Sequence, residues 1–491
     1  MRALKNYIDN TWTASSNLST VKVMNPATQE LLAKVPVGLG SERDMDDAIK
    51  SAHLAYLEWK KVPVLRRVQP LFKLKRLMEE NFEDLAETIT LESGKTLDES
   101  RGELMRAIEN IETACGTPML VQSEFSEDIA SGVDEFMIRQ ALGVTACIAP
   151  FNFPAMITFW FLPYAIACGN AMVVKPSEKV PLTMTKIFHL IDQLDLPKGL
   201  VNMVNGGKEA VDVLLEHPLV KAISFVGSTD VARYIYAKGA QNGKRVQAQG
   251  GAKNPVVILP DADIDMTSKI VSDSVYGCAG QRCLAASVIL TVDDQKNDMR
   301  EALYESAKNK NTGFGLNPGV DMGPVITPES KSRINELVKL GLSEGANLLL
   351  DGRGHEVSGF KKGNFIAPTI LENLALDGKV IKTEIFGPVM SLLHMKTVEE
   401  AITFINNSKY GNSACLFTSS GASARKFRNE VMAGNIGINI GVAAPMAQFP
   451  FSGWKDSFFG DLHGQGRHAI EFFTQTKVVI ERWPKEWSRK F

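Results

Sequence analysis

Val144-Thr145-Ala146-Cys147-Ile148-Ala149 is an uncharged apolar run, bounded by Gly143 before it and Pro150 after it. A run of this length and composition reads as a strand buried on both faces. The pattern repeats outward along the chain. An apolar helix over 155–168 leads to the strand Ala171-Met172-Val173-Val174-Lys175, and a helix over 181–194 leads to Leu200-Val201-Asn202-Met203-Val204. A helix over 209–217 then precedes Ala222-Ile223-Ser224-Phe225-Val226; Gly227-Ser228 opens a helix over 229–238, and Arg245-Val246-Gln247-Ala248 resumes a strand. Strands alternating with helices at this spacing predict an α/β fold with a parallel, doubly wound sheet. Such sheets bind ligands beyond the carboxyl ends of their strands. Asn152, Lys175, Gly206, Gly227 and Ser228 all fall at those ends.

Upstream, residues 1 to about 40 are strand-like and turn-rich. The run 31–37 enters Gly38-Leu39-Gly40, and an amphipathic helix is expected over 42–59. This order mimics a dinucleotide fingerprint, but Arg43 stands where the third glycine belongs, so it reads as a plain turn. Further helix is expected over 64–113. Arg101 and Arg106 lie five apart there and do not share a face, and each taken alone reads as a solvated charge. The polar, alternating segment 122–138 predicts a hairpin or edge element reaching away from the body. Downstream, a second alternating block runs over 255–443, and 467–491 begins with apolar alternation and ends in a charged tail.

A chain of 491 residues is too long for one core and implies two or three domains. With 44% hydrophobic and 22% charged residues it has the composition of a soluble globular protein. A net charge of -2 gives no electrostatic footprint for nucleic acid or an anionic membrane. The six scattered cysteines suit a reducing cytosol, so a cytoplasmic location is expected. The amino end carries no apolar signal core. Segment 155–168 is interrupted by Pro163 and too short to span a bilayer.

The densest chemistry lies in Gly277-Cys278-Ala279-Gly280-Gln281-Arg282-Cys283-Leu284-Ala285. Asp261-Ala262-Asp263-Ile264-Asp265 has carboxylates placed to cap a helix, and Ile270, Ser274 and Cys278 follow at four-residue spacing. After the glycines, Ser287-Val288-Ile289-Leu290-Thr291-Val292 reads as a buried strand. Cys283 is therefore expected on a tight loop, open to a cleft. Local chemistry leaves two readings of it: a small buried hydrophobe, or a nucleophile whose thiolate Arg282 helps to stabilise. A zinc site built on Cys278 and Cys283 lacks a nearby histidine or second cysteine pair.

Five pieces, in this order, resemble the aldehyde dehydrogenase superfamily: Pro150-Phe151-Asn152-Phe153-Pro154, Lys175-Pro176-Ser177-Glu178, Phe225-Val226-Gly227-Ser228, Gly280-Gln281-Arg282-Cys283 and Glu384-Ile385-Phe386-Gly387-Pro388. The resemblance implies that Cys283 attacks an aldehyde carbon, and that Asn152 with the Cys283 N–H holds the oxyanion. It implies an NAD site in which Lys175 and Glu178 bond the adenosine ribose and Gly227 and Ser228 face the pyrophosphate. Glu384 would hold the nicotinamide ribose, with Phe151, Gly206 and Phe386 lining the same site. It further implies an NAD-binding domain over 1–121 and 139–250, and a catalytic domain over 251–443. An oligomerisation element over 122–138 and 465–491 would build a homotetramer or at least a homodimer.

Hydrolytic members carry a glutamate just ahead of a glycine pair, where it activates water. Gln249-Gly250-Gly251 occupies that place, and a neutral amide cannot take a proton at pH 7. A thiol acceptor needs less help, so the resemblance points to acyl transfer to coenzyme A. Ala149 to Ile157, Gly250-Gly251-Ala252-Lys253-Asn254, Ala279 to Cys283 and Phe451-Ser452-Gly453-Trp454-Lys455 resemble the methylmalonate-semialdehyde dehydrogenase branch. In that branch two arginines grip the substrate carboxylate, and Arg282 and Arg106 stand at their places. The implied reaction is oxidative decarboxylation of malonate or methylmalonate semialdehyde to acetyl-CoA or propionyl-CoA. The alternative is a non-acylating semialdehyde dehydrogenase that releases free acid by means of another base. The branch more often has asparagine at position 249 and a residue larger than glycine at 250.

Overall fold

The computed structural model describes residues 3–16, 19–38, 40–294 and 297–484. Five parallel strands, Val144–Ile148, Ala171–Lys175, Val201–Met203, Val220–Val226 and Arg245–Gln249, form the centre of the first sheet. Their spatial order is third, second, first, fourth, fifth. Val144–Ile148 and Ala171–Lys175 are buried throughout, as uncharged or nearly uncharged runs between two helical layers must be. Short antiparallel strands finish both edges: Asn6–Ile8 with Thr11–Thr13 beside Val201–Met203, and Phe458–Phe459 beside Arg245–Gln249. The order reverses between Val144–Ile148 and Val220–Val226, so the loops leaving those strands diverge and open a crevice. Pairing of Ile148 with Lys175 and Phe225, and of Val226 with Gln249, ends these strands level along one edge.

The second sheet has six parallel strands: Asn254–Ile258, Ala286–Val292, Thr369–Glu372, Val389–Met395, Ser413–Phe417 and Asn435–Ile438. Asn347–Leu350 runs antiparallel on its edge. Only residues 250–253 separate the last parallel strand of the first sheet from the first of the second. The carboxyl edge of one sheet consequently faces the amino edge of the other. Each sheet has its own apolar cluster, and Cys283 packs against the first while its own strand belongs to the second.

A third sheet joins Phe125–Ala130, Val133–Ala141 and Thr474–Arg482, with Thr474 opposite Ala141 and Arg482 opposite Val133. The hairpin expected over 122–138 is present, with Phe125–Ala130 exposed throughout, although its long strand continues to Ala141. Residues 444–464 belong to none of the expected segments; Trp454–Lys455 pairs with Tyr410–Gly411, and Phe458–Phe459 supplies the edge strand of the first sheet.

Several local expectations are corrected. Segment 155–168 is two short helices, Met156–Phe159 and Leu162–Ala167, with Pro163 in the first turn of the second, where its missing N–H is harmless. Gly466–Phe472 is a helix that buries Ala469, Ile470 and Phe472, and the strand begins only at Thr474. Helix Ile264–Tyr276 is capped by Asp263, whose carboxylate accepts from Met266 N, but it ends before Cys278. Cys278 and Ala279 both take left-handed conformations, with φ of 50° and 52°, so Cys278 leaves the helical row of Ile270 and Ser274. Leu39 and residues 485–491 of the expected tail lie outside the described residues. Among the described residues no helix is long and apolar enough to cross a membrane.

Candidate active site

Helix Leu97–Cys115 begins with a complete capping box: Thr96 accepts from Glu99 N, and the Glu99 carboxylate accepts from Thr96 N. The fixed start aligns Glu99, Glu103, Arg106 and Asn110 on one face at spacings of four, three and four. That face walls a chamber of about 240 Å³, closed opposite by Phe153, Met156, Trp160, Phe451 and Gln465. Across the sheet junction lies a larger crevice of about 870 Å³ at the switch point of the first sheet. Among the described residues, Cys283 alone borders both.

Cys283 is half-buried, on the loop entering strand Ala286–Val292. Desolvation, then the Glu384 carboxylate, push its thiol up to about 12, while the backbone N–H groups of Cys283 and Leu284 and the Arg282 charge act in the opposite direction. The loop is held from behind by amides: Asn254 Nδ2 and Asn412 Nδ2 each donate to the Cys283 carbonyl at 2.8 Å. Gly280, at φ 70°, lies where a Cβ would come within 2.1 Å of the Gly387 carbonyl, so only glycine lets the thiol loop meet the Glu384–Pro388 turn.

Asn152 stands on the loop after Val144–Ile148 and donates from Nδ2 to the Gln281 carbonyl at 3.0 Å. An amide nitrogen carries two protons, and the second is available to the crevice that Asn152 lines together with Cys283. The Asn152 loop rests on a buried ion pair. Lys95 Nζ donates to Glu103 Oε2 and to the Asn152 carbonyl, both at 2.6 Å, and lies 4.1 Å from the Phe153 ring centre. Glu103 Oε1 accepts from Ala155 N at 2.8 Å and Met156 N at 3.2 Å. Desolvation would lower the Lys95 pKa, but Glu103 and the other negative neighbours outweigh it and hold the value above the usual lysine range. Removing one charge would strand the other in the interior, at a cost of about 3–5 kcal/mol.

The large crevice gathers most of the residues expected at its wall: Phe151, Lys175, Glu178, Gly227, Ser228, Glu384 and Phe386. Lys175 Nζ is 3.2 Å from Glu178 Oε2; desolvation alone would raise the Glu178 pKa, but Lys175 outweighs it and keeps the carboxylate ionised. Helix Thr229–Gln241 points its amino end into the crevice with no side-chain cap from Ser228, leaving its first N–H groups for an anionic ligand. Glu384 is held by Ala252 N at 2.8 Å, and burial raises its pKa. Arg333 fixes the same turn, donating to the Glu384 carbonyl at 2.6 Å and the Ile385 carbonyl at 2.7 Å. Gly206 does not line the crevice. It is packed where a Cβ would meet Ala210 at 2.5 Å, and Gly207 and Lys208 line the wall instead.

Arg106 and Arg282 both border the smaller chamber. Arg106 Nη1 pairs with Glu109 at 2.7 Å and is 38% exposed, whereas Arg101 pairs with Glu83 and Asp98 on the surface. Arg282 Nη2 donates to the Asp273 carbonyl at 2.6 Å and the Ser274 carbonyl at 3.1 Å, anchored at a helix carboxyl end where positive charge is favoured. Its Nε is buried with no hydrogen-bond partner. Gln249 lies outside both spaces. Its amide turns into the interior and donates from Nε2 to Asn412 Oδ1 at 2.8 Å, so the expected base position does not face the thiol from the crevice wall.

Sequence reasoning missed Lys95, Glu103, Arg333 and Asn412, and gave Asn254 no role beyond its place in a motif. No spacing signal announces them, because each acts through a contact with a backbone carbonyl or N–H distant in the chain. Cys278 also faces the smaller chamber, and among the described residues no three His, Cys, Asp or Glu side chains gather as a metal site.

A dinucleotide-type sheet set edge to edge with a second α/β sheet is the arrangement of a nucleotide-dependent dehydrogenase, and here a thiol stands at the junction. The chain belongs to the aldehyde dehydrogenase family, whose sequence profile matches residues 12–479. It is 45% identical to the malonate-semialdehyde dehydrogenase of Bacillus pumilus (strain SAFR-032) over 484 residues, covering 98% of this chain and 99% of that one. The methylmalonate-semialdehyde dehydrogenase structure from Oceanimonas doudoroffii superposes with a TM-score of 0.96 at 38% identity, covering 99% of both chains. A Sinorhizobium meliloti 1021 structure complexed with NAD gives the same TM-score at 39% identity, again over 99% of both chains.

Proposed function

We propose that this chain catalyses the NAD-dependent, coenzyme A-acylating oxidation of malonate or methylmalonate semialdehyde, with loss of carbon dioxide, to acetyl-CoA or propionyl-CoA. The observation that carries the reading is the position of Cys283 between a crevice suited to a dinucleotide and a chamber bordered by two arginines. The names of the relatives support the same substrates.

The crevice residues fit NAD: Glu178 can accept from a ribose 2′-hydroxyl and repels a 2′-phosphate, the open amino end of Thr229–Gln241 suits a pyrophosphate, and Glu384 suits the second ribose. NAD, when bound, supplies the acceptor for the hydride released from the aldehyde carbon. In the chamber, Arg106 and Arg282 orient the substrate carboxylate by charge-assisted hydrogen bonds. The Cys283 thiol gives its proton to water, its sulfur adds to the carbonyl carbon, and the Asn152 amide with the Cys283 N–H stabilises the oxyanion. After hydride loss the acyl group is a thioester on Cys283. The bond to the β-carboxylate then breaks, carbon dioxide departs, and the electron pair passes into the thioester as an enolate that is protonated. The thiol of coenzyme A displaces the Cys283 sulfur and carries the acyl group away. Glu99 and Glu103 also border the chamber, but Glu99 is bonded to Thr96 N and Cys278 N, and Glu103 to Lys95. Neither is free to replace the missing hydrolytic base.

Arg106→Leu should lower kcat/KM for malonate semialdehyde by about 10–100-fold, the loss of one charge-assisted contact, with a much smaller change for propanal. Steady-state kinetics with both aldehydes checks this; equal losses would remove the role. Product identification by mass spectrometry from each semialdehyde, with NAD and coenzyme A, tests the reaction itself. We assign NAD binding to the first sheet and its helices, catalysis to the second, and assembly as a homotetramer or homodimer to the third. Exposed Phe125, Ile129, Val478 and Ile480 on the third sheet support that assembly role. Free cysteines throughout support a reducing, cytoplasmic setting.

A further inference from the structure

Gln249 ends the last parallel strand of the first sheet and is 5% exposed. Gly453 leaves room for its amide: a Cβ there would lie 2.7 Å from Gln249 Nε2. The bonds beyond it run in one direction only. The Cys283 carbonyl accepts and cannot donate, so the Asn412 group facing it must be the NH₂, as the 2.8 Å contact from Nδ2 requires. Asn412 therefore presents Oδ1 to residue 249, and that residue must be the donor. An amide satisfies this demand and a carboxylate at neutral pH cannot. Asn435 holds the Asn412 backbone in place by donating from Nδ2 to its carbonyl at 3.0 Å. Asn254 supplies the second donor to the Cys283 carbonyl.

From this geometry we propose that Gln249 is a positioning residue for the nucleophile: it fixes Asn412 as a donor to the Cys283 carbonyl, and this directed relay, besides the absence of a base, is why an amide stands at 249. The peptide joining Cys283 to Leu284 carries the polarisation onward. Its oxygen accepts from two amides, and its N–H, that of Leu284, acts to lower the pKa of the Cys283 thiol against the upward push of desolvation. Donors on the oxygen strengthen the N–H as a donor, because hydrogen bonds in a chain polarise one another. The relay thus links the last parallel strand of one sheet to the sulfur on the other. The inference rests on Cys283 being the nucleophile.

The test is the rate of iodoacetamide alkylation of Cys283 against pH in the full-length enzyme, with alkylation at Cys283 read by peptide mass spectrometry. It needs neither aldehyde nor coenzyme A, so its outcome is independent of the substrate assignment. Gln249→Glu and Gln249→Met both remove the donor, and the second keeps the size of the side chain without adding charge. Both should slow alkylation at pH 7.5 by about tenfold and move the profile up by about one pH unit. NAD binding, read by fluorescence, should hold within about twofold, because Gln249 is not in the crevice wall. Asn412→Asp, which keeps an acceptor for Gln249 but loses the donor to Cys283, should behave like the Gln249 variants. Wild-type alkylation profiles in both Gln249 variants would overturn the relay. So would a slowed Gln249→Glu beside an unchanged Gln249→Met, since that pattern reports added charge and not a lost donor.

Discussion

Cys283→Ala should eliminate NADH formation, by at least about 10⁴-fold, while leaving the dinucleotide crevice able to bind NAD. The size of the effect follows from where the sulfur stands. Cys283 is the one described residue common to the crevice and the chamber, so no other thiol can reach an aldehyde carbon held between them in the same geometry. Cys278 borders only the chamber, and burial drives its pKa well up, with Glu99 adding to the effect. Alanine leaves Asn152, Arg106 and the amides behind the loop in place, but nothing that can form a covalent bond. Stopped-flow absorbance at saturating NAD and semialdehyde measures the loss, and a fluorescence titration with NAD confirms the intact crevice. Turnover that survives the substitution would refute the covalent route.

Asn152→Ala should lower kcat by about 10²–10³-fold with little change in KM. In the proposed role the donor acts on charge that develops at the carbonyl oxygen as sulfur adds, so its loss should be felt in the transition state and hardly in substrate binding. The backbone should survive the change, because Lys95 holds the Asn152 carbonyl and Glu103 holds the N–H groups of Ala155 and Met156. Steady-state kinetics and a thermal midpoint measured together separate the two effects. A fall in stability with a proportionate rise in KM would instead make Asn152 a residue of the scaffold.

The strands and their alternation with helices were legible because burial on both faces leaves an apolar run of fixed length. The crevice residues were legible for a related reason: ligands of such sheets sit at strand ends, and Asn152, Lys175, Gly227 and Ser228 are the polar or small residues found there. Gly206 shows the limit of that rule, since a glycine at a strand end serves equally well to admit a packed neighbour such as Ala210. The break within 155–168 was only half legible: Pro163 interrupts the run, but both short helices are almost wholly buried, so no change in polarity shows where the first one ends. Helix Gly466–Phe472 was concealed by its shortness: seven residues give too few turns for a period to declare itself. The identity of Gln249 was readable, and it excluded a base, but the direction of its side chain was not. That direction depends on Asn412, which is 163 residues away in the chain. The Lys95–Glu103 pair was invisible for the same reason: its partners include the backbone of another segment.

Acyl transfer between two sulfurs, in place of hydrolysis, makes sustained turnover depend on an acceptor thiol. Rapid mixing of enzyme, NAD and malonate semialdehyde, followed by addition of coenzyme A, measures it most directly. Without coenzyme A a burst of about one NADH per active site should be followed by turnover slower by roughly 100-fold, because the thioester has no base to help water attack it. With coenzyme A, NADH formation should be sustained and matched by acetyl-CoA and carbon dioxide. Full-rate release of free carboxylic acid with no acceptor thiol present would contradict that dependence.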